Sequence, residues 1–371
     1  MTNTKTVSIK VPWSPPLFEE ADLESAIQVI RSCWMTQGKQ TAAFEEETAA
    51  LCGSKYAVAV CNGTAALMAA LLACEIGPGD EVLVPTMTFI ATVNSVIAVG
   101  AKPILVDCDP RTLNVTPELL QSKLTPKTKA ILFVDVYGMP CDIDGIAAFA
   151  KKHNLRLIED GAQAIGAGYK GKPVGSFGHL TIISFHMAKL VPTVEGGCIL
   201  TDDENLAVRM KQIRNHGMAG QYQFVAFGLN LRITDIQSAM GRSQLKKLAK
   251  MLELRQALVD QYQDGLKGLV EFQHVPDYVT THPHMIFSVF LKDRAQRDRV
   301  NAYVKEHGVD TRICWTPTHL QPYHKTLLAD QGAFPNAEKL GERGLSLPLG
   351  NALTPEEVAY AVRITKEALA S

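Results

Sequence analysis

Between about residues 55 and 160 short apolar runs alternate with stretches whose apolar residues recur at helical spacing. "YAVAVC" predicts a strand and "TAALMAALLACEIG" a helix closed by glycine. There follow strand "EVLVP", helix "ATVNSVIAVG", strand "PILVD", helix "TPELLQSKL", strand "AILFVD", helix "IDGIAAFAKKHN" and strand "LRLIED". Strands separated by crossover helices imply a parallel sheet covered on both faces, and nearly continuous apolar strands are what two-sided burial requires. After residue 160 a glycine-dense stretch leads into "HLTIISF" and "GGCILTD". Charged helical patterns then run from about 203 to 265, and strands and helices mix from about 266 onward. This places a soft domain boundary near residue 250, with no low-complexity linker and no internal repeat.

Composition narrows the class. The chain has 371 residues, 46% hydrophobic and 20% charged, a globular profile. A formal net charge of −1 gives no broad basic surface for nucleic acid or anionic membrane. The ten histidines form no metal-ligand spacing, so no metal is expected. The eight cysteines make no C-x-x-C pair, and several lie in apolar runs, which suggests reduced thiols in the cytoplasm. "MTNTKTVSIKVPWSPP" has no apolar signal core.

One stretch invites a nucleotide-binding reading. "IGAGYKGKPVG" contains both G-x-G-x-x-G and G-x-x-x-x-G-K. A dinucleotide fingerprint opens a helix, whereas this stretch leads into a strand, and Pro173 stands where a phosphate loop needs Ser or Thr. It is expected to be a surface hairpin or loop using glycine for its turns.

Chemistry lies on either side of it. "LRLIEDGAQA" puts Asp160 at the C-terminal end of an apolar strand, where open parallel sheets bind ligands; alone, it could equally cap a turn. "TIISFHMAKLVP" sets Lys189 among apolar residues, where a lysine either snorkels to water or becomes a desolvated nucleophile. In "CNGTAALMAALLA" a strand meets a helix at Asn62, Gly63 and Thr64, which serves either as an N-cap or as an anion cradle. Together the three match pyridoxal 5′-phosphate (PLP). That cofactor needs a lysine, a carboxylate near its pyridine nitrogen and an anion site for its phosphate.

The constellation resembles the nucleotide-sugar aminotransferases of the DegT/DnrJ/StrS type, within fold-type I PLP enzymes. The resemblance runs through "SCWMTQGKQTAAFEEETAALCGSKYAVAVCNGTAAL", "GPGDEVLVPTMTFIATVNSVIAVGAKPILVDCDP", "LIEDGAQAIGA", "SFHMAKLVPTVEGG", "GLNLRITDIQSAMG" and "WTPTHLQPYH". It implies an α/β fold in two parts. The large PLP-binding domain, 1–250 with the N-terminal arm, has a mostly parallel central sheet flanked by helices; a smaller α+β domain covers 251–371. It implies Lys189 as the Schiff-base lysine and Asp160 as the pyridinium partner, with Gln163 near the cofactor O3′ and Phe89 stacked on the ring. Gly63, Thr64 and Ser184 would hold the phosphate, joined by Asn230 from the other subunit of a homodimer. Trp34, Thr36 and His319 would contact substrate. The implied reaction moves an amino group from Glu or Gln to a keto-sugar, nucleotide-linked in most of the family, for amino-sugar biosynthesis. Related dehydratases replace the lysine with histidine, and an inactive regulatory homologue would not need Lys189, Asp160 and Gln163 together. This chain departs from the family pattern at Leu190, Val194 and His179, where a polar residue, Gly and Asp are common.

Overall fold

The computed structural model describes residues 8–371. The large sheet uses strands β1 (Tyr56–Val60), β2 (Glu81–Pro85), β3 (Lys102–Val106), β4 (Thr128–Val134) and β5 (Arg156–Asp160). A hairpin, β6 (Gly168–Tyr169) and β7 (Lys172–Pro173), separates these from β8 (Leu180–Ser184) and β9 (Gly197–Thr201). The sheet order is β1-β9-β8-β5-β4-β2-β3. β9 pairs antiparallel with both β1 and β8, and the other pairings are parallel.

Helices cover both faces, and the period of two along each strand sorts the core. Ala130, Leu132, Ile158 and Ile182 pack with helices α3 (Gly63–Ala73) and α7 (Glu204–Arg214). Ile131 and Phe133 face the other way, against α6 (Ile143–Lys152). Helix α2 (Lys39–Cys52) closes that same side near β1, through Phe44. This register puts Asp160 on the face of Ile158, toward α3, and Glu159 on the reverse face.

The "IGAGYKGKPVG" stretch is a hairpin as expected. Its two turn residues, Lys170 and Gly171, have φ of 49° and 79°, the left-handed pair that a tight two-residue hairpin uses.

A second, antiparallel sheet orders β12 (Glu271–Phe272), β14 (Phe287–Phe290), β16 (Gly344–Leu347) and β15 (Arg312–Ile313). Between β12 and β14, β13 (Val279–Thr281) instead pairs with β6. Helix α9 (Leu248–Leu266) joins the two units: Leu248 and Met251 pack in the large-sheet core, whereas Leu258, Val259 and Tyr262 pack in the second core. The N-terminal segment, grouped with the large domain on sequence, lies on the smaller unit. Val11 is buried in the second core, its peptide bridges Val309, and Leu349 N–H donates to the Trp13 carbonyl at 3.0 Å. No helix among the described residues is long and apolar enough to cross a membrane.

Candidate active site

The strands β8 and β5 end side by side, and their last residues open into a cavity of about 580 Å³. Gly63, Thr64, Phe89, Asp160, Gln163, Ser184 and Lys189 all line it. The fold therefore gathers seven of the expected site residues from across 127 positions of sequence (63 to 189).

Asp160 is 6% exposed. Thr92 Oγ1, on helix α4 (Ile90–Ala98), donates to its Oδ2 at 2.7 Å, and Ala162 N–H donates to its Oδ1 at 3.2 Å. Burial pushes the carboxyl above its ordinary range, while Thr92, the Ala162 N–H and Lys189 pull the other way. Lys189 sits in the loop from β8 to β9. Burial lowers its amine to about 8, with Asp160 opposing. The residue still has surface open to the cavity, so the amine is desolvated by its neighbours without being sealed off. A lysine in this state is partly neutral near pH 8 and thus nucleophilic.

An anion cradle lies opposite. Asn62 caps α3, its Oδ1 accepting from Ala65 N–H at 2.8 Å. The first backbone N–H groups of a helix have no intrahelical acceptor and attract negative charge. A Cβ placed on Gly63 would come within 3.2 Å of the Ser184 side chain, so glycine keeps that space open. Gln163 is fixed by Tyr137, whose N–H donates to its Oε1 at 2.9 Å, and its NH₂ has no partner among the described residues. Phe89 is 58% exposed, with its ring 6.4 Å from that of Trp315. A desolvated amine, a buried carboxylate, a helix N-terminus with a glycine gap and an exposed aromatic ring fit the chemistry of PLP.

Four expected residues lie elsewhere. Trp34 and Thr36 are exposed, and Thr36 lines a separate depression with Gly38, Asn215 and Arg232. Asn230 is exposed beside it, bridging Asn215. His319 is the fourth. It does not line the cavity; its Nδ1 is 2.7 Å from Thr86 Oγ1, its Nε2 is 3.2 Å from Glu338, and its ring packs on Phe334. Both of its ring nitrogens are engaged, and 9% of its side chain is exposed.

Sequence reasoning missed several lining residues. Trp13 and Ser14 arrive from the N-terminal segment, Met285, Ile286 and Trp315 from the smaller unit, and Glu195 from the lysine loop. Thr92 had a local signal, since it faces the cavity one turn into a helix beginning just after Phe89.

Residues 16–365 match the DegT/DnrJ/EryC1/StrS aminotransferase family. A GDP-perosamine synthase from Caulobacter vibrioides is 37% identical over 97% of this chain and 98% of its own length. The solved structure of DesV from S. venezuelae is 32% identical, with a TM-score of 0.91 over 94% of each chain. A Streptococcus pneumoniae protein solved in a PLP form is 29% identical, with a TM-score of 0.92 over 97% of this chain and 98% of that one. The chain belongs to the DegT/DnrJ/EryC1/StrS aminotransferase family and is a PLP-dependent sugar aminotransferase of amino-sugar biosynthesis.

Proposed function

We propose that Lys189 carries PLP, that Asp160 partners its ring nitrogen, and that the acceptor is a nucleotide-linked keto-sugar aminated at the expense of Glu or Gln. The observation that carries the residue roles is a desolvated amine and a buried carboxylate lining one cavity. Bound PLP supplies an electron sink for the pair left behind when a Cα proton departs. Lys189 Nζ would hold that proton and carry it between the donor's Cα and the cofactor's C4′. Thr92 and the Ala162 N–H aim the Asp160 carboxylate and favour its charged form against the burial that raises its pKa. Gly63, Thr64 and Ser184 would hold the phosphate, Gln163 would meet O3′, and Phe89 would stack on the ring. The nucleotide linkage follows the name of the 37% identical relative, GDP-perosamine synthase.

The enzyme acts as a homodimer with shared sites. Asn230, Thr36 and Trp34 lie outside their own chain's cavity, yet they adjoin an apolar surface that a second copy would cover. In the hairpin of β10 (Met218–Gly220) and β11 (Gln223–Phe224), Tyr222, Phe224, Val225 and Phe227 are all more than half exposed. In this arrangement Asn230 reaches the partner's cofactor phosphate and Trp34 and Thr36 line the partner's substrate entrance. The enzyme works in the cytoplasm, in keeping with eight unpaired cysteines. Its two units divide within α9, and the N-terminal segment belongs with the smaller one.

Borohydride treatment of the yellow holoprotein tests the reading. It should fix a phosphopyridoxyl group on the peptide containing "SFHMAK"; label on another lysine, such as Lys172, sinks it. Screening nucleotide-linked and free keto-sugars with Glu and with Gln then identifies acceptor and donor.

A further inference from the structure

Arg255, midway along α9, is 1% exposed. Among the described residues no acid pairs with it, and burial draws the guanidinium down to about 10. An unpaired buried cation is costly, so its hydrogen bonds call for explanation. Its Nε donates to Asn351 Oδ1 at 2.8 Å, and its NH1 donates to the His284 carbonyl at 2.8 Å. Asn351, 6% exposed, sends its Nδ2 to the Leu190 carbonyl at 3.0 Å. Leu190 directly follows Lys189, and His284 directly precedes Met285, a wall residue of the cavity.

The node therefore clamps two edges of the active site from behind. On the far edge, Met285 N–H donates to the Tyr137 carbonyl at 2.9 Å, and Tyr137 N–H holds Gln163. On the near edge, the loop is closed across the lysine by Thr193 N–H on the Phe185 carbonyl at 2.8 Å. Immediately downstream, Asn351 supplies the anchor. Asn351 is a hinge-pin between units: it lies in the smaller unit's loop after β16, and Leu190 belongs to the large one.

We propose that Asn351, held by Arg255, is a positioning residue for Lys189, fixing the lysine loop so that the amine stays desolvated. This rests on Lys189 being the cofactor-bearing amine. With the anchor gone, the loop loosens and water reaches Nζ, which then behaves more like an ordinary lysine.

The test uses the apoprotein and does not depend on turnover. Acetic anhydride labelling of Lys189, followed across pH by peptide mass spectrometry, gives the midpoint at which the amine becomes reactive. Wild type should show it near 8. Asn351→Leu preserves volume and dryness but cannot bond the Leu190 carbonyl, and should raise the midpoint by about one pH unit, roughly tenfold less neutral amine at pH 7. Leu353→Ala, a buried neighbour in the same loop, serves as the control for general loosening. It should lower the melting temperature without moving the midpoint. An unmoved midpoint in Asn351→Leu, or equal shifts in both variants, overturns the proposal. If Asn351→Leu does not fold, Arg255→Lys is read instead; it keeps the cation but loses the planar fork, and a midpoint unchanged from wild type again overturns the proposal. Borohydride label on a different lysine would defeat the reading of Lys189 and leave the midpoint result standing, so the two failures are distinguishable.

Discussion

Two regions carry the expected chemistry, and they are built in opposite ways. The Lys189 cavity is a finished object within one chain: Asp160 is buried with its oxygens engaged by Thr92 and Ala162, and Gln163 is locked by Tyr137. The patch around Asn230, Thr36 and Trp34 is unfinished, with its side chains exposed and the aromatic hairpin beside it uncovered. A single chain can pre-organise charge where it can exclude water. In the proposed dimer, the exposed patch would be completed by a second copy.

The sharpest way to break the comparison is to strip the finished region of its charge. Asp160→Asn keeps the shape and the Thr92 contact but cannot stabilise a protonated pyridine nitrogen. Turnover should fall at least about a hundredfold with PLP still bound. Near-wild-type turnover would reduce Asp160 to a structural cap.

The unfinished region is tested by complementation. Lys189→Ala and Asn230→Leu should each be inactive as pure dimers. A residue donated in trans puts both lesions of a mixed dimer into one site and leaves the other wild type. Co-refolding equal amounts should therefore restore about a quarter of wild-type sites under random pairing. Activity no higher than the sum of the separate variants, with mixed dimers confirmed by mass, would place Asn230 in its own chain's architecture.

The two regions also differed in how far they could be read from sequence. Asp160 stood out because two-sided burial writes strands as continuous apolar runs with a charge at the end, and Lys189, in the loop beyond β8, because of its apolar company; their roles came only from the constellation and the family resemblance. The hairpin of "IGAGYKGKPVG" was legible because turn chemistry is local. The reversed β9 was not, since an apolar strand carries no mark of its direction. Thr92 meets Asp160 across 68 residues, and Trp13 and Trp315 enter the cavity from the smaller unit. Such contacts are set by how units pack, not by any local pattern. His319 shows the converse: its motif is local, but its contacts with Thr86 and Glu338 are set only in three dimensions.

A smaller effect comes from the cost of holding Lys189 dry. Its amine falls from an ordinary 10.5 to about 8, so between those values the unfolded chain binds the proton that the folded chain has lost. Folding of the apoprotein is therefore disfavoured below about 8, and its stability rises as pH climbs from 8 toward 10.5. Lys189→Met removes the penalty. It should stabilise the apoprotein by about 2–3 kcal/mol at pH 7, allowing for the part of the residue open to water, and by about half as much at pH 9.5. Denaturant unfolding at both pH values measures this; a gain that does not shrink with pH would trace to packing instead of charge.

The smallest effect separates strain in the two regions. Val194, in the lysine loop, has φ of 72°, and Tyr222, at the tip of the exposed hairpin, has φ of 57°. Both occupy left-handed backbone, but valine branches at Cβ and so meets its own carbonyl more severely. Its carbonyl is also pinned by Met187 N–H at 2.9 Å, so the loop cannot relax without losing a bond beside the cavity. Glycine at 194 should relieve about 1–2 kcal/mol of strain and give back about half of that through the greater freedom of the unfolded chain. Val194→Gly should therefore stabilise the apoprotein by up to about 1 kcal/mol. Tyr222→Gly, with less strain to release and the same entropic cost, should fall within about 0.5 kcal/mol of wild type. Thermal unfolding of the two variants side by side decides it. A Val194→Gly protein no more stable than Tyr222→Gly would mean that the lysine loop stores no strain beyond that of an ordinary surface turn.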